Sequence, residues 1–408
     1  MPISQKGKQI LRALAQQYMK YASLPVQKQK RELWAALNDG QMERPMFTID
    51  QIPWHEMDVD GSLICHVQDP YWQSVEKNLR QQIYKWEHCP ADMVLLPCIL
   101  IPHIYRNTGY GLDVKEERLV ADAKSDVAAH LYQSQFFDLE DVQKIQIPHI
   151  TPCPDDEKQT MALAAEIFAG IAPAVFQGTV MHLGFWDFLS QWLGVENCYY
   201  QLIDNPELLH ALMRRLTDAT IELIGQMNRY ELFDTQSFTC HCSYTFSSAP
   251  SAGPSVSQNA WAFGMAQIFS SVSPEVTREF EVPYMQEVYS HFGSIYYGCC
   301  ERLDDRLDVV EQMPNIRKVS CSPWSNREHF ASVLSKKYIM SAKPNPAFLA
   351  AEQFDEELIR LDLRRTIRAA RKNGLGLEFL LKDLSTVQYK PERIWRWSEI
   401  AAEETAGN

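Results

Sequence analysis

Residues 294–324 read SIYYGCCERLDDRLDVVEQMPNIRKVSCSPW, and the order of their patterns decides the fold. Ser294–Gly298 is a short apolar strand. Leu303, Leu307 and Val310 recur at helical spacing, the helix stops before Pro314, and Ile316–Ser320 is strand again. A strand, a helix and a second strand in succession specify parallel neighbours joined by a right-handed crossover. Downstream, Tyr338–Ala342 is a strand, Ile359, Leu363, Ile367 and Ala370 mark a helix that stops at Asn373-Gly374, and Leu377–Leu381 is the last strand, before an aromatic helix around Trp395 and Trp397. Upstream, Ser273 caps a helix with Pro274 at its first position; Val276, Phe280, Tyr284 and Val288 line one face, and Pro283 should kink it. Phe233–Thr239 reads as a strand. Asn205-Pro206 opens a helix buried along Leu209, Leu212, Leu216 and Leu223, and Met93–Ile101 is a continuous apolar run of the kind found in covered parallel strands. This alternation predicts an α/β fold, a (βα)8 TIM barrel over 91–408, with a helical extension over 1–90 packed on it; an open doubly wound sheet is the second option. No GxGxxG follows a strand and no GxxxxGK[ST] occurs, which weakens nucleotide-binding alternatives.

The 408 residues would suit two or three domains by length alone, but α/β barrels run long as one. With 39 basic and 52 acidic side chains the formal charge is −13, which argues against a broad nucleic-acid face. No apolar run is long enough for a membrane span, and the N-terminal stretch lacks a signal h-region, so a cytoplasmic protein is expected. In that reducing compartment the 10 cysteines are buried thiols, ligands or nucleophiles rather than disulfides. Five of them, Cys240, Cys242, Cys299, Cys300 and Cys321, fall between 240 and 321.

Catalytic groups of α/β barrels sit where strands end. Three successive strand ends here offer soft donors: Cys240-His241-Cys242, Cys299-Cys300-Glu301 and Cys321. On extended backbone neighbouring side chains point oppositely, so at most one of Cys299 and Cys300 is expected in the mouth, and either His241 or its flanking cysteines. Buried cysteines packing as small hydrophobes are the competing reading. No CxxC pair exists, so a catalytic metal site with an open position fits better than a structural zinc knot. The last strand ends in Lys382-Asp383, where Asp383 is a candidate general base or an orienting partner of Lys382. Lys343, in SAKPNPAF, is a candidate anion receptor, and Arg106 with Asn107, near Gly109 and Gly111, are weaker candidates for an anionic cofactor or substrate. The small polar loop 247–257 reads as a cover over the site.

The segments VSPEVTREFEVPYMQEVYSHFG, IYYGCCERLDDRLDVVEQMPNIRKVSCSPWSN, AKPNPAF and LLKDLSTVQ resemble the uroporphyrinogen decarboxylase superfamily, most of all an uncharacterised bacterial branch related to corrinoid methyltransferases. The opening LPVQKQKRELWAALN and IDQIPWHEM extend the resemblance over most of the chain. It implies a (βα)8 barrel and one of two chemistries, metal-free decarboxylation of a porphyrinogen or zinc-assisted methyl transfer with a corrinoid protein. The decarboxylase QAGR segment is absent, and PCILIPHIYRNTGYG stands on the first strand. In the methyltransferase motif His-x-Cys-Gly, Cys299 matches the cysteine, Tyr297 replaces the histidine and Cys300 the glycine; Lys382-Asp383 stands where a later cysteine is expected. The leading expectation is therefore a zinc-dependent methyltransferase acting between a small methylated substrate and a corrinoid protein. Cys299, Glu301, His241 and Cys321 are its expected ligands, and Glu301, Asp383 and Lys343 its catalytic groups. A metal-free decarboxylase or lyase using Lys343, Arg106 and Asp383, and a non-enzymatic corrinoid- or porphyrin-binding subunit, are the alternatives. The chain carries no DxHxxG segment, so cobalamin would arrive on a partner; a homodimer is the family's common state.

Overall fold

The computed structural model describes residues 3–120, 128–248 and 253–406. Two N-terminal helices, α1 (Gln5–Ala22) and α2 (Pro25–Asn38), precede strand β1 (Met46–Ile49), and helix α3 (Pro70–His88) leads to β2 (Ile99–Pro102). Ser4 caps α1 by accepting from the Gly7 amide at 3.0 Å, and Asp69 caps α3 ahead of Pro70. Leu11, Leu14 and Tyr18 of α1 pack on Trp72, Val75 and Leu79 of α3, and this layer covers Ile99 and Ile101 of β2. β1 lies within the first 90 residues and is part of the main sheet.

β3 (Ala174–Gln177) and β4 (Met181–His182) follow in quick succession. Helix α4 (Pro206–Arg229), capped by Asn205, buries the side bearing Leu209, Leu212, Leu216 and Leu223. Then come β5 (Trp261–Gly264), β6 (Ser294–Tyr297), β7 (Ile316–Cys321), β8 (Ile339–Ala342), helix α5 (Glu356–Asn373), β9 (Gly376–Leu381) and helix α6 (Glu392–Thr405). Seven strands form one parallel sheet in the order β1-β9-β8-β7-β6-β5-β4, and β2 pairs in parallel with β3.

The expected closed barrel is not what the hydrogen bonds draw: the sheet is curled and mixed with helices, but no ladder joins β1 to β2 among the described residues. Asp92 stands in at that edge. Its amide donates to Phe47 O and its carboxylate accepts the Phe47 amide, both at 3.0 Å, while Arg44 holds the same carboxylate. A side chain and one peptide thus satisfy backbone groups that a neighbouring strand would otherwise take.

The curl is drawn around a small hairpin. Thr239–Cys240 pairs antiparallel with Ser243–Tyr244, and the two turn residues, His241 (φ 44) and Cys242 (φ 66), are both left-handed, as a two-residue primed turn requires. On the concave face this hairpin meets five strands. Thr48 of β1 donates to Cys242 O at 2.8 Å, His241 stacks on Phe263 of β5 at 3.7 Å, and its ring lies 5.0 Å from Tyr296 of β6. Lys318 of β7 donates to Ser243 Oγ (2.6 Å) and Tyr244 O (2.9 Å), and Ser243 donates to Glu378 of β9 (2.8 Å). Lys318 and Glu378 pair at 2.7 Å with both side chains fully buried.

The strand expected over Phe233–Thr239 is instead an irregular segment. Phe233 makes one isolated parallel bridge to Thr179, and Asp234 then turns the chain by accepting the Gln236 and Ser237 amides. The true strand is β5, some twenty residues on. The run expected as a strand from Met93 is strand only from Ile99. The helix opened by Pro274 breaks at Glu281 (φ −124), ahead of the expected Pro283 kink. In the loop read as a cover, residues 249–252 lie outside the described residues. No helix among the described residues is long and apolar enough to cross a membrane.

Candidate functional site

The C-terminal ends of β6, β8 and β9 converge on two thiols. β6 ends at Tyr297, and Gly298 turns the chain at φ +94; a Cβ there would press to 2.7 Å from Leu303 and 2.9 Å from Ser320. Because of that turn Cys299 and Cys300 leave strand alternation, and their Sγ atoms lie 3.6 Å apart on the same side. From the end of β9, Asp383 (φ 59) brings a carboxylate oxygen to 3.2 Å from Cys300 Sγ. One atom from each of Cys299, Cys300 and Asp383 lies within 4.8 Å of the other two, the one such donor cluster among the described residues.

Two lysines set the electrostatics. Lys382 Nζ stands 3.3 Å from Cys299 Sγ and 2.6 Å from Asp383. Burial works to lower its pKa, but the Cys299, Asp383 and Cys300 charges outweigh it and hold the ammonium well above its usual value. Lys343, from the end of β8, is buried and donates to Ser320 Oγ and, at 3.3 Å, to Tyr296 Oη. Burial draws its pKa down. A hydrogen bond from Cys300, then the Lys343 and Lys382 charges, bring the Cys299 thiol to about 7 against the resistance of burial, and Cys300 is held up in turn.

The other expected residues are placed elsewhere. Glu301 is 2% exposed, and its two oxygens accept the Ala266 amide (3.3 Å) and the Cys299 amide (2.7 Å). It clasps the ends of β5 and β6 together rather than facing the thiols' donor cluster. Cys321 is fully buried in the main apolar core and its thiol is pushed up to about 12 by burial. Strand alternation explains this, since Ser320 faces Lys343 and its neighbour must face the helices. His241 is outside the three-donor cluster. Burial and the two lysines press its pKa well below the usual imidazole value, and its Nε2 is buried without a partner. Arg106 and Asn107 sit on an exposed antiparallel ribbon with Ile150–Pro152, and the Asn107 side chain accepts the Gly109 amide. Of the expected catalytic set, Asp383 and Lys343 adjoin the thiols and Glu301 braces them.

Cys300 and Lys382 are the members that the alternation argument underweights. The signal for Cys300 is Gly298, since a glycine at a strand end licenses a turn that puts successive side chains together. Tyr296 and Ser320, which fix Lys343, carry no distinguishing signal beyond their strand parity.

Beside this cluster, a cavity of about 410 Å³ opens across the unladdered β1–β2 edge. His241 and Cys242 line it, and Cys242 also packs in the cluster that contains Cys299, Cys300, Phe263 and Tyr296.

No family model matches the sequence, and no curated protein matches it. Among solved structures, a methyltransferase from Methanosarcina mazei aligns with a TM-score of 0.49 and 14% identity, over 91% of this chain and 97% of that one. These comparisons assign no family.

Proposed function

We propose that the protein is a zinc-dependent methyltransferase that moves a methyl group between a small methylated substrate and a corrinoid held by a partner protein. We read its curled sheet, with the β2–β3 pair, as a (βα)8 barrel of the uroporphyrinogen decarboxylase superfamily left unladdered between β1 and β2 and interrupted between β3 and β4. The observation that carries the reading is the cluster of Cys299, Cys300 and Asp383 donors within 4.8 Å. Two thiolates on one zinc, each about 2.3 Å from it, lie roughly 3.8 Å apart, close to the sulfur separation here. Three anionic donors on a divalent ion leave one negative charge, and the Lys382 ammonium beside Cys299 and Asp383 offsets it. The donor set therefore fits zinc, with a position open to substrate. Zinc supplies Lewis acidity to a leaving heteroatom, or a held thiolate, when bound.

The chain's own residues do the rest. Glu301 fixes the Cys299 backbone from below, and Lys382 holds Asp383 against the thiols. Lys343, kept in place by Ser320 and Tyr296, puts a positive charge beside Cys299 that favours its thiolate, the form in which it would hold the metal. The metal-free decarboxylase finds less support: polycarboxylate recognition needs cations, and Arg106 stands on an outer ribbon while Lys343 is engaged inside. A non-enzymatic binding subunit has no need of a thiol held near neutrality between two lysines.

The test is metal analysis of protein purified anaerobically, with and without Cys299→Ser. One zinc per chain, lost in the variant along with at least ~100-fold of methyl-transfer activity, is expected. Metal-free protein retaining full activity in strong chelator, or releasing CO₂ from a carboxylated ring, would overturn the reading.

A further inference from the structure

The cavity at the β1–β2 edge is lined by both amide and apolar side chains. One face of α3 contributes Asn78, Gln81, Gln82 and Lys85, which recur at helical spacing, and Gln177 joins them from the end of β3. The lining also includes Trp54, Leu100, Val180 and Tyr244, with the Thr48, Ser237 and Thr239 hydroxyls among them. Lining charge is confined to Lys85 and Asp50, which lie 3.8 Å apart and cancel. Primary amides donate and accept but carry no charge, so this wall recognises hydroxyl, ether or carbonyl groups and gives no net attraction to an ion. A carboxylate or ammonium entering here would lose its hydration without gaining a free counter-charge. The volume of about 410 Å³ lies in the range that holds a ring-sized molecule and far exceeds what a one-carbon substrate would fill.

None of the thiol, lysine or Asp383 side chains of the site is in the cavity's lining, but two lining residues stand between the cavity and the site. His241 and Cys242 form the partition: they line the cavity, while the His241 ring lies on Phe263 and Cys242 packs against the apolar cluster that includes Cys299. Val180 likewise belongs to both. His241 Nε2, buried and without a partner, is a polar atom for which the chain itself provides no bond.

We propose that this cavity is the substrate-binding site and takes an uncharged, ring-sized molecule, its polar group on the α3 amides and its apolar body against Trp54, Leu100 and Val180. That it is a substrate rests on the methyl-transfer reading; that it binds such a molecule does not. The test is calorimetry and ligand-observed NMR on the full chain with four probes of one size. Benzamide and benzyl alcohol are uncharged, benzoate is an anion and benzylammonium a cation. The neutral pair is expected to bind at least tenfold more tightly than either ion. Val180→Trp, which fills the cavity, should abolish binding, and Gln81→Leu with Gln177→Leu, at half-exposed positions, should weaken benzamide at least fivefold if the filled variant does not fold. Cys299→Ser should remove zinc and leave benzamide binding intact, so failure of the metal reading and failure of this one give different results. Equal or tighter binding of an ion, neutral binding untouched by the variants, or no neutral binding would overturn the proposal.

Discussion

Cys299 is a thiol whose neighbours decide its charge. A hydrogen bond from Cys300 and two nearby ammonium groups bring it to about 7 from an ordinary 9.0. In metal-free protein, its alkylation by iodoacetamide should therefore rise with pH to a midpoint near neutrality, because only the thiolate reacts. The midpoint belongs to the Cys299–Cys300 pair as a unit. Lys382→Met should move it back toward the ordinary thiol value, and peptide mapping of the modified site against pH checks both statements. A midpoint unmoved by the variant would show that the lysine is electrostatically idle. Behind the site, Glu281 is buried under Tyr297, which donates to it at 2.9 Å, and burial lifts its carboxyl from 4.5 to about 8. An acid raised in the folded state stabilises the fold below its unfolded value and loses that contribution as pH climbs through the folded one. Urea midpoints should accordingly fall between about pH 4.5 and 8 for the wild type relative to Glu281→Gln, with the gap level above that range.

At the scale of elements, the hairpin inside the curl holds the site's geometry together. Its turn sets two non-glycine residues in the left-handed region, at a cost of about 1–2 kcal/mol each. Cys242→Gly should relieve part of this and raise stability by up to about 1 kcal/mol, read from chemical denaturation. Glu378→Gln should do the reverse. It leaves the Lys318 ammonium buried beside Ser243 without its counter-charge, a loss of about 3–5 kcal/mol. If Glu378→Gln unfolds at the wild-type urea midpoint, the hairpin is not anchored as described. Here the limits of the sequence are plain. The strands from Ser294 onward and the helix Glu356–Asn373 are legible because prolines, the Asn373-Gly374 stop and apolar spacing agree, whereas the helix read from Leu303 shrinks to Leu307–Val310 and Ser273 makes no side-chain cap bond. The short β5 is hidden after a polar loop, and nothing local announces that TCHCSYT folds into a primed turn. That turn needs Asn or Gly by preference, and tertiary bonds from Thr48, Lys318 and Glu378 impose it on His241 and Cys242 instead. The thiols' location at a strand end was readable, but their partners were not. Asp383 reaches Cys300 only because β9 returns beside β1 and curls, while Glu301 and Cys321, equally plausible as ligands on paper, are claimed by backbone amides and by the core.

For the whole molecule, β1 finds its ladder partner in β9 and, among the described residues, in no other strand. Bonds across the same closure join Thr386 to Glu56, 330 positions apart, and Arg317 to Asn38, 279 apart. A chain emerging from the ribosome must therefore keep β1 waiting, with Asp92 as interim company, until β9 has been made. Assembly from the N-terminus in completed instalments is closed to this topology. A truncation that removes β9 and α6 should yield not a smaller folded domain but a polypeptide with two orphaned edges, on β1 and on β8, exposed to whatever other chain reaches them first.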